Sequence, residues 1–340
     1  MTKTLIDVYF PKSTNGKRKY VATSKACDDV TTILTSQGFD RQILYRSSEN
    51  SVLGTIELII KLVFCLLRKT KDSIVVIQYP MMNILPFSFC SFLFKRLHSI
   101  AVVHDIRSYC HLSKYREKEL KILNCFDTLI VHNESMQKQL QADGVKAKMV
   151  TLGCFDYLLD KDMKIKNIEK NSIIFAGNLN KSLFLKQLNQ LNLKSIKFNL
   201  YGGQKPEIIY NQFIEYKGRF APSDISSIEG EWGLVWEGDS IETCNGVYGE
   251  YLTLIAPHKL SLYLACGLKI ICWEQSAMAD MVFQNGLGIT INSLDEIENK
   301  LIALPKESYE QIEKNVQTIS MKLRKGAQLQ TAINQISSIQ

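Results

Sequence analysis

The sequence predicts an α/β protein made of two doubly wound, Rossmann-like domains. Short apolar runs rich in β-branched residues recur along the chain, and each is followed by a polar or Gly-rich turn and an amphipathic stretch. Repeated strand–helix units of this kind favour a parallel sheet with helices on both faces. The alternation is interrupted by the segment 154–171, which is polar and lysine-rich in its second half, and 340 residues are enough for a domain on either side of it.

Residues 1–153 form the first predicted domain. The run SIVVIQYP is apolar without alternation, which is typical of a strand buried on both faces. The other predicted strands of this half are TLIDVYF, QILY, SIAVVHDI and TLIVHN. Helices are predicted over KACDDVTTILTSQGF, over 52–69, over 81–96, and from an Asn133 N-cap as far as Gly144.

Residues 172–318 form the second predicted domain, and 154–171 the linker before it. Its strands are predicted at SIIFAGNL, IKFNLYGG, FIEYKGRF, WGLVWEGDS, KIICW and GITI. Its helices are predicted at KSLFLKQLNQL, at a Pro222-Ser223-Asp224 start, from about Pro257 to Ala265, and at ADMVFQNGLG. A C-terminal helix within 319–340 is expected to pack back on the first domain.

Composition sets limits on the partners of this chain. The net charge is +7, from 41 basic and 34 acidic residues, without the concentrated basic stripe of a nucleic-acid binder. A partner that carries phosphates or an anionic membrane surface would explain the excess, and so would solubility alone. The nine cysteines form no CxxC pair, which favours reduced thiols in the cytoplasm.

No segment of the sequence is predicted to span a membrane. The N-terminus MTKTLIDVYFPK is too short and too polar for a signal peptide. The apolar run from Thr55 to Leu67 is interrupted by Glu57 and Lys61, and the run from Met81 to Phe94 is shorter than the ~20 residues that a bilayer requires. A membrane contact would therefore be peripheral, at the inner face.

Polar and Gly-rich turns at the predicted strand ends are candidates for a phosphate-binding site. In open α/β sheets ligands bind beyond the carboxyl ends of the strands, and helix N-termini bind phosphate. Neither a P-loop nor a GxGxxG motif is present, and each Gly turn alone is most often an ordinary connection. The turns are Gly177-Asn178, Gly202-Gly203, Gly218-Arg219, Glu237-Gly238-Asp239 and the segment 256–259.

Lys259 stands in the first turn of a predicted apolar helix. A cation there opposes the helix dipole, which is unfavourable unless an anion such as a diphosphate neutralises both. The alternative is a lysine that extends its ammonium to solvent.

The stretch GLVWEGDSIETCNGVYGEYLTLIAPHKLSLYLACGLKIICWEQSAMADMV resembles the bacterial β-1,6-galactofuranosyltransferase family and the related glucosyltransferases that extend GlcNAc on serine-rich adhesins. FAGNL, KACDD, VVHDI and VHNESM extend the likeness more weakly over the chain. Ala256 departs from the pattern, because Asn is common there. The matching residues are Trp236, Gly238, Asp239, Ser240, Cys244, Gly246, Gly249, Tyr251, Pro257, His258, Lys259, Ser261 and Tyr263.

The resemblance implies a GT-B glycosyltransferase that binds a UDP-sugar mainly on its second domain, with neither metal nor cofactor. The diphosphate would meet Gly177, Asn178 and Lys259, whose positive charge would stabilise the departing UDP. The segment Asp160-Lys161-Asp162 lies in the predicted linker, and we interpret its side chains as solvated charges. The implied donor-binding set is Gly177, Asn178, Tyr201, Gly202, Gly218, Arg219, Phe220, Asp239, Ser240, His258, Lys259, Ser261 and Tyr263.

An inverting reaction needs a group that accepts the proton of the acceptor hydroxyl. Asp105 is the candidate base and His104 the second, since both follow a predicted buried strand; the alternative is that they cap the next segment. In a retaining enzyme Asp105 would only bind the acceptor. Lys25 and Arg107 are candidates for contact with an anionic, lipid-linked acceptor, or are solvated charges.

The resemblance implies transfer of galactofuranose from UDP-galactofuranose to a saccharide acceptor, lipid-linked or protein-linked, during assembly of a cell-surface polysaccharide. One alternative is a glucosyltransferase that uses UDP-glucose to extend GlcNAc on a serine-rich glycoprotein. Another is an inactive nucleotide-sugar-binding partner subunit. The resemblance also suggests a homo-oligomer.

Overall fold

The computed structural model describes residues 2–9, 22–46, 52–160 and 169–339. Within these residues the strands form two six-stranded parallel sheets, with helices between most successive strands. The predicted fold class is confirmed. No helix in the described part of the chain is both long and apolar enough to cross a bilayer.

The first sheet has the strand order β2-β1-β3-β4-β5-β6, and all of its pairs are parallel. Every residue of β3 is buried, as its uninterrupted apolar run predicts. β6 lies at one edge of the sheet, and it is too short and too polar to be predicted as a strand from the sequence. The six strands are β1 (Lys3–Tyr9), β2 (Asp40–Tyr45), β3 (Ile74–Tyr79), β4 (His98–Val103), β5 (Thr128–Val131) and β6 (Lys148–Thr151).

Helices connect these strands, and Asn133 caps one of them as predicted, because its side chain accepts a hydrogen bond from the Met136 N–H at 2.9 Å.

The prediction of one helix over 81–96 is wrong. In such a helix Pro86 would lie in the interior, where it cannot donate a hydrogen bond; instead a short α-helix is followed by the 3-10 helix Ser91–Arg96. The α-helices are α1 (Ala22–Ser36), α2 (Val52–Leu67), α3 (Ile84–Ser88), α4 (Arg107–Cys110), α5 (Arg116–Leu123) and α6 (Glu134–Ala142).

The second sheet has the strand order β12-β11-β10-β7-β8-β9. The chain begins this sheet in the middle, adds β8 and β9 on one side, and then adds β10 to β12 on the other. The order therefore reverses between β7 and β10, which is where open α/β sheets bind ligands. The strands are β7 (Ser172–Ala176), β8 (Lys197–Tyr201), β9 (Ile214–Gly218), β10 (Trp232–Val235), β11 (Lys269–Trp273) and β12 (Gly288–Ile291).

Two helix predictions in this half are corrected. KSLFLKQLNQL contains the 3-10 helix Leu183–Gln190 instead of an α-helix. Pro222-Ser223-Asp224 starts no helix, because the Asp224 carboxylate accepts from the Ser226 N–H at 2.9 Å and closes a local turn. The α-helices are α7 (Gly246–Tyr251), α8 (His258–Cys266), α9 (Ala279–Gln284), α10 (Ile297–Ile302), α11 (Lys306–Leu323) and α12 (Ala327–Ile339).

The chain divides into two compact units. The first contains β1, Cys27–Leu152 and the chain from Leu329; the second contains the start of α1 and Gly153–Gln328. The first residues of the predicted linker, 154–157, are buried within the second unit. Residues 161–168 lie outside the described residues, and they include Lys161 and Asp162 of the Asp160-Lys161-Asp162 segment. The region 319–340 contains the end of α11 and then α12.

Candidate functional site

Lys259 lies at the start of α8, above the ends of the two strands between which the sheet order reverses. Its Nζ lies 2.5 Å from Glu237 Oε1 and 3.4 Å from the carbonyl oxygen of Trp236, the residue after β10. The same ammonium stands 4.1 Å from the ring centre of Phe175 in β7. With 11% of its side chain exposed, Lys259 does not extend into solvent.

Gly177 brings the turn after β7 next to this ammonium. A Cβ built on Gly177 would lie 4.0 Å from Lys259 Nζ, and the glycine has a φ of +154°. The Gly177 N–H donates to the Tyr201 carbonyl at 3.0 Å, which ties the turn to the end of β8. The structure therefore brings Gly177 and Lys259 together, whereas Asn178 next to them is exposed.

Gly218, Arg219 and Phe220 form an open surface at the end of β9. A Cβ placed on Gly218 would have no atom of the described chain within 4 Å, and the exposed Arg219 makes no hydrogen bond or ion pair with the described residues. The Phe220 ring packs edge-on against Tyr201, with 5.7 Å between ring centres. This surface is free to meet a planar or anionic ligand.

Gly202 fills a different role from the one predicted. Its N–H donates to the Gly218 carbonyl at 2.8 Å. A Cβ there would stand 2.6 Å from Leu179 Cγ and 2.8 Å from the Gly177 carbonyl oxygen. The absent side chain therefore makes room for the neighbouring turn of this protein, and a ligand's close approach is not needed to explain the glycine.

Two glycines allow the loop after β10 to fold tightly. A Cβ on Gly238 would lie 2.4 Å from the Asn245 carbonyl oxygen, and one on Gly249 would lie 2.5 Å from the Cys244 carbonyl carbon. The Asp239 N–H donates to Asn245 Oδ1 at 2.9 Å, which closes the loop. The spacing of glycines in the Trp-x-Gly-Asp-Ser and Cys-x-Gly-x-x-Gly motifs is thus a packing requirement.

The closed loop presents Asp239 to solvent at its tip. Its Oδ2 lies 3.3 Å from the position of a Cβ on Gly246, at the start of α7. Ser240 is more constrained, because its hydroxyl accepts from the Glu242 N–H at 3.0 Å and its carbonyl accepts from Trp236 Nε1 at 2.9 Å. Of these two members of the implied donor-binding set, Asp239 is therefore the more available.

Three predicted donor-binding side chains are buried in the core. Tyr263 OH accepts from the Ala176 N–H at 2.8 Å, and its ring fills the space that a side chain on Gly233 would need. Tyr201 OH lies 3.3 Å from the Ser227 carbonyl and accepts from the Glu229 N–H at 2.9 Å. Ser261 has no exposed surface. These side chains support the strand ends from beneath and have almost no exposed surface of their own.

His258 precedes Lys259 and is half-buried in the second unit. Its ring lies 4.6 Å from the ring of Phe155. Burial lowers the pKa of His258 from 6.5 to about 4, so the imidazole is neutral at pH 7 and adds no charge beside Lys259.

Glu237 has the most direct contact with Lys259 and is absent from the predicted set. The sequence contains a signal for it, because Glu237 follows Trp236 at the end of β10 and stands two residues before Asp239. Its pairing with Lys259 crosses 22 positions of sequence, however, and only the fold brings the two side chains together.

His104 and Asp105 follow β4 in the first unit. His104 Nε2 lies 2.8 Å from Gln78 Oε1, and its main-chain N–H donates to the Tyr79 carbonyl at 2.8 Å. An Nε2–H that donates to Gln78 leaves Nδ1 as the nitrogen that carries the lone pair. Asp105 is half-buried beside it.

The segment after Asp105 is held by a buried carboxylate that the sequence did not reveal. Glu119 accepts from Tyr79 OH at 2.9 Å, from the Arg107 N–H at 3.2 Å and from the Ser108 N–H at 2.6 Å. Its carboxylate thereby accepts hydrogen bonds from the first two main-chain N–H groups of α4. The guanidinium of Arg107 donates to Asn83 Oδ1 at 3.1 Å.

Lys25 is predicted on the first domain. In the structure it lies at the start of α1, and this part of the helix belongs to the second unit. Its Nζ donates to the Leu158 carbonyl at 2.8 Å and stands 4.5 Å from the ring centre of Tyr157. The ammonium is therefore engaged with the chain after Gly153.

Beside the strand-end site, the second unit has a cavity of 470 Å³ between the loops that follow β7 and β8. Its lining includes Asn180, Lys186 and Gln204, and none of the residues predicted to bind the donor. Among the described residues, no group of three or more acidic, His or Cys side chains could hold a metal ion.

Comparison with protein families gives matches over most of the chain. The family described as glucosyltransferase 3-like matches with its N-terminal domain at residues 9–154 and with its C-terminal domain at residues 173–336. The chain is 28% identical to the β-1,6-galactofuranosyltransferase WbbI of Escherichia coli (strain K12), over 79% of this chain and 80% of that protein. It is 25% identical to glucosyltransferase 3 of Streptococcus parasanguinis, over 75% of both chains.

The fold is also similar to solved structures. HepE of Anabaena, crystallised with UDP and glucose, superposes with a TM-score of 0.58 at 13% sequence identity, covering 100% of this chain and 99% of that one. At this identity the likeness concerns the GT-B fold alone.

Proposed function

This chain belongs to the glucosyltransferase 3-like family of glycosyltransferases, and we propose that it transfers galactofuranose from UDP-galactofuranose to a sugar acceptor in cell-surface polysaccharide assembly. The relative that supports this sugar is WbbI, a β-1,6-galactofuranosyltransferase that resembles the chain over most of its length. The reaction belongs to the hexosyltransferases.

The ammonium of Lys259 is the observation that supports donor binding. It lies next to the Gly177 turn, at the reversal of the sheet order and at the first turn of α8. The amides of a first helical turn have no intrahelical partner. Together with the ammonium they form a positive environment for the diphosphate of UDP. As the bond to the sugar breaks, the same groups would stabilise the charge on the departing UDP.

The remaining strand ends would bind the rest of the donor. Gly218, Arg219 and Phe220 would hold the uracil, and Asp239 would accept hydrogen bonds from hydroxyls of the ribose or the sugar. HepE, whose structure contains UDP and glucose, shows that a protein of this fold can bind such ligands. Because Lys259 and the α8 amides already carry positive charge, we expect transfer to proceed without a metal ion.

Asp105 is the proposed base on the acceptor side. If the reaction inverts the sugar's configuration, its carboxylate accepts the proton of the attacking hydroxyl, with His104 as the second candidate. If the configuration is retained, Asp105 binds the acceptor. A cytoplasmic location is supported by the nine cysteines, none of which forms a disulfide in the described part of the chain.

A second candidate is transfer of glucose from UDP-glucose, supported by the similarity to glucosyltransferase 3 of S. parasanguinis. The two donors are distinguished by incubating the purified protein with each UDP-sugar and measuring the UDP released, with and without saccharide acceptors. Faster release from UDP-galactofuranose is expected, whereas a preference for UDP-glucose would overturn the first proposal. UDP binding without turnover of either donor would indicate an inactive binding subunit.

A further inference from the structure

Helix α2 of the first unit has two apolar faces, and the part of the chain that the structure describes covers one of them. Gly54, Leu58, Leu62 and Leu66 are buried. The opposite face carries a second apolar row at helical spacing, with exposed fractions from 48% to 78%. This row consists of Val52, Leu53, Ile56, Ile60, Phe64 and Leu67.

The short helices after β3 extend this apolar surface. α3 and the 3-10 helix Ser91–Arg96 both contact α2. They expose Leu85, Phe89 and Phe92, and Phe89 is 74% exposed. Together with the row on α2 these are nine exposed large apolar side chains on adjoining elements, and a concentration of this kind is typical of an interaction surface. We refer to these nine residues as the α2 face.

The charges beside the α2 face are mostly positive. Residues 52–97 contain six basic and two acidic residues, and one of the acids, Glu57, pairs with Lys61 at 2.5 Å. Arg96 donates to the carbonyls of Leu66 and Leu67, which fixes the basic end of the 3-10 helix against the end of α2. Arg68, Lys71 and Lys95 are exposed and form no ion pair with the described residues.

An exposed apolar face with an excess of basic residues is typical of a helix that lies in the surface of an anionic bilayer. A second copy of the same face would bring like charges together across a two-fold axis, which disfavours self-association there. We propose that the α2 face docks on anionic phospholipid, with Phe64, Phe89 and Phe92 inserted among the acyl chains near the headgroups. This inference does not depend on the proposed donor or acceptor.

Vesicle sedimentation tests the proposal with the full chain. We expect the protein to pellet with vesicles of equal parts phosphatidylglycerol and phosphatidylcholine, and to remain in solution with phosphatidylcholine alone. Ile60→Ser with Phe64→Ser should weaken binding at least about tenfold, because the inserted apolar surface is lost. Phe283→Ser, which changes an aromatic that is 74% exposed on α9, is the matched control and should bind like the unaltered protein.

A second variant tests the charge. Replacing Arg68 and Lys95 by Gln should weaken binding about fivefold for each cation lost, and should reduce its salt dependence. The thermal midpoint of each variant, measured without vesicles, shows whether it is folded. Binding that survives the Ile60 and Phe64 changes would overturn the proposal. A second result would also overturn it: no form of the protein pellets with vesicles, and the protein is a dimer that the Ile60 and Phe64 changes convert to a monomer.

Discussion

The ammonium of Lys259 lies 2.5 Å from the carboxylate of Glu237, at the point where the strand order of the second sheet reverses. The carboxylate fixes the ammonium beside the Gly177 turn. It also balances a cation that the helix dipole of α8 would otherwise destabilise. A bound diphosphate would share this ammonium with Glu237.

Replacing Lys259 by Ala should weaken UDP binding by about thirtyfold or more, corresponding to about 2 kcal/mol, because an ammonium that contacts phosphate is lost. Isothermal titration calorimetry with UDP measures the change. Lys322→Ala, at an exposed position of α11, is the matched control and should bind UDP normally. Unchanged affinity in the Lys259 variant would remove the proposed diphosphate site.

Glu237→Gln should lower the free energy of unfolding by about 1–3 kcal/mol, because a half-buried ammonium loses its charged partner. Saturating UDP should raise the melting temperature of this variant more than that of the unaltered protein, since the diphosphate supplies the missing negative charge. Thermal melts with and without UDP measure both effects. Equal UDP-induced shifts would show that the carboxylate and the nucleotide do not share Lys259.

Asp105→Asn should leave the affinity for UDP unchanged and reduce transfer about a hundredfold or more if Asp105 is the base. Product formation at saturating donor and acceptor is the measurement. Asp72→Asn, an exposed change in the same unit, serves as the control. Turnover at the normal rate in the Asp105 variant would retire the base assignment.

His258 should make the fold sensitive to acid. Burial lowers its pKa from 6.5 to about 4, so the unfolded chain binds a proton at pH values where the folded protein does not. Its contribution is complete above pH 6.5 and is lost as the pH falls towards about 4; it amounts to about 3 kcal/mol. Urea unfolding of His258→Gln should therefore lose less stability than the unaltered protein between these pH values. Parallel pH profiles for the two proteins would contradict the prediction.

Glu119→Gln should destabilise the fold by about 2–4 kcal/mol, because the amide has one acceptor oxygen and its NH2 group cannot accept from the third donor, the Ser108 N–H. Urea denaturation at neutral pH measures the loss. Glu117→Gln on the same helix is the control, since its side chain is 82% exposed, and should unfold at nearly the same urea concentration as the unaltered protein. A Glu119 variant as stable as this control would show that other contacts hold the start of α4.

The errors in the sequence predictions have local causes. Pro86 prevents a continuous helix over 81–96, and the Asx-type turn of Asp224 replaces a predicted helix start. Both depend on hydrogen bonds of single residues, which compete with an otherwise suitable helical pattern. The long apolar segments β3 and α8 were predicted close to their observed bounds, because their burial leaves little choice of secondary structure.

The sequence by itself determined the alternation of strands and helices, the two-domain α/β class, the family, and the position of Lys259 at the start of an apolar helix. These features depend on periodicity and on motifs that are continuous in the chain. Only the tertiary structure decided that Glu237 is the partner of Lys259, that Glu119 holds the segment after Asp105, and that Tyr263 lies beneath the site, where it bonds Ala176 across 87 positions. Side-chain partners this far apart in sequence are set by the packing of strands and helices, and no local pattern specifies them.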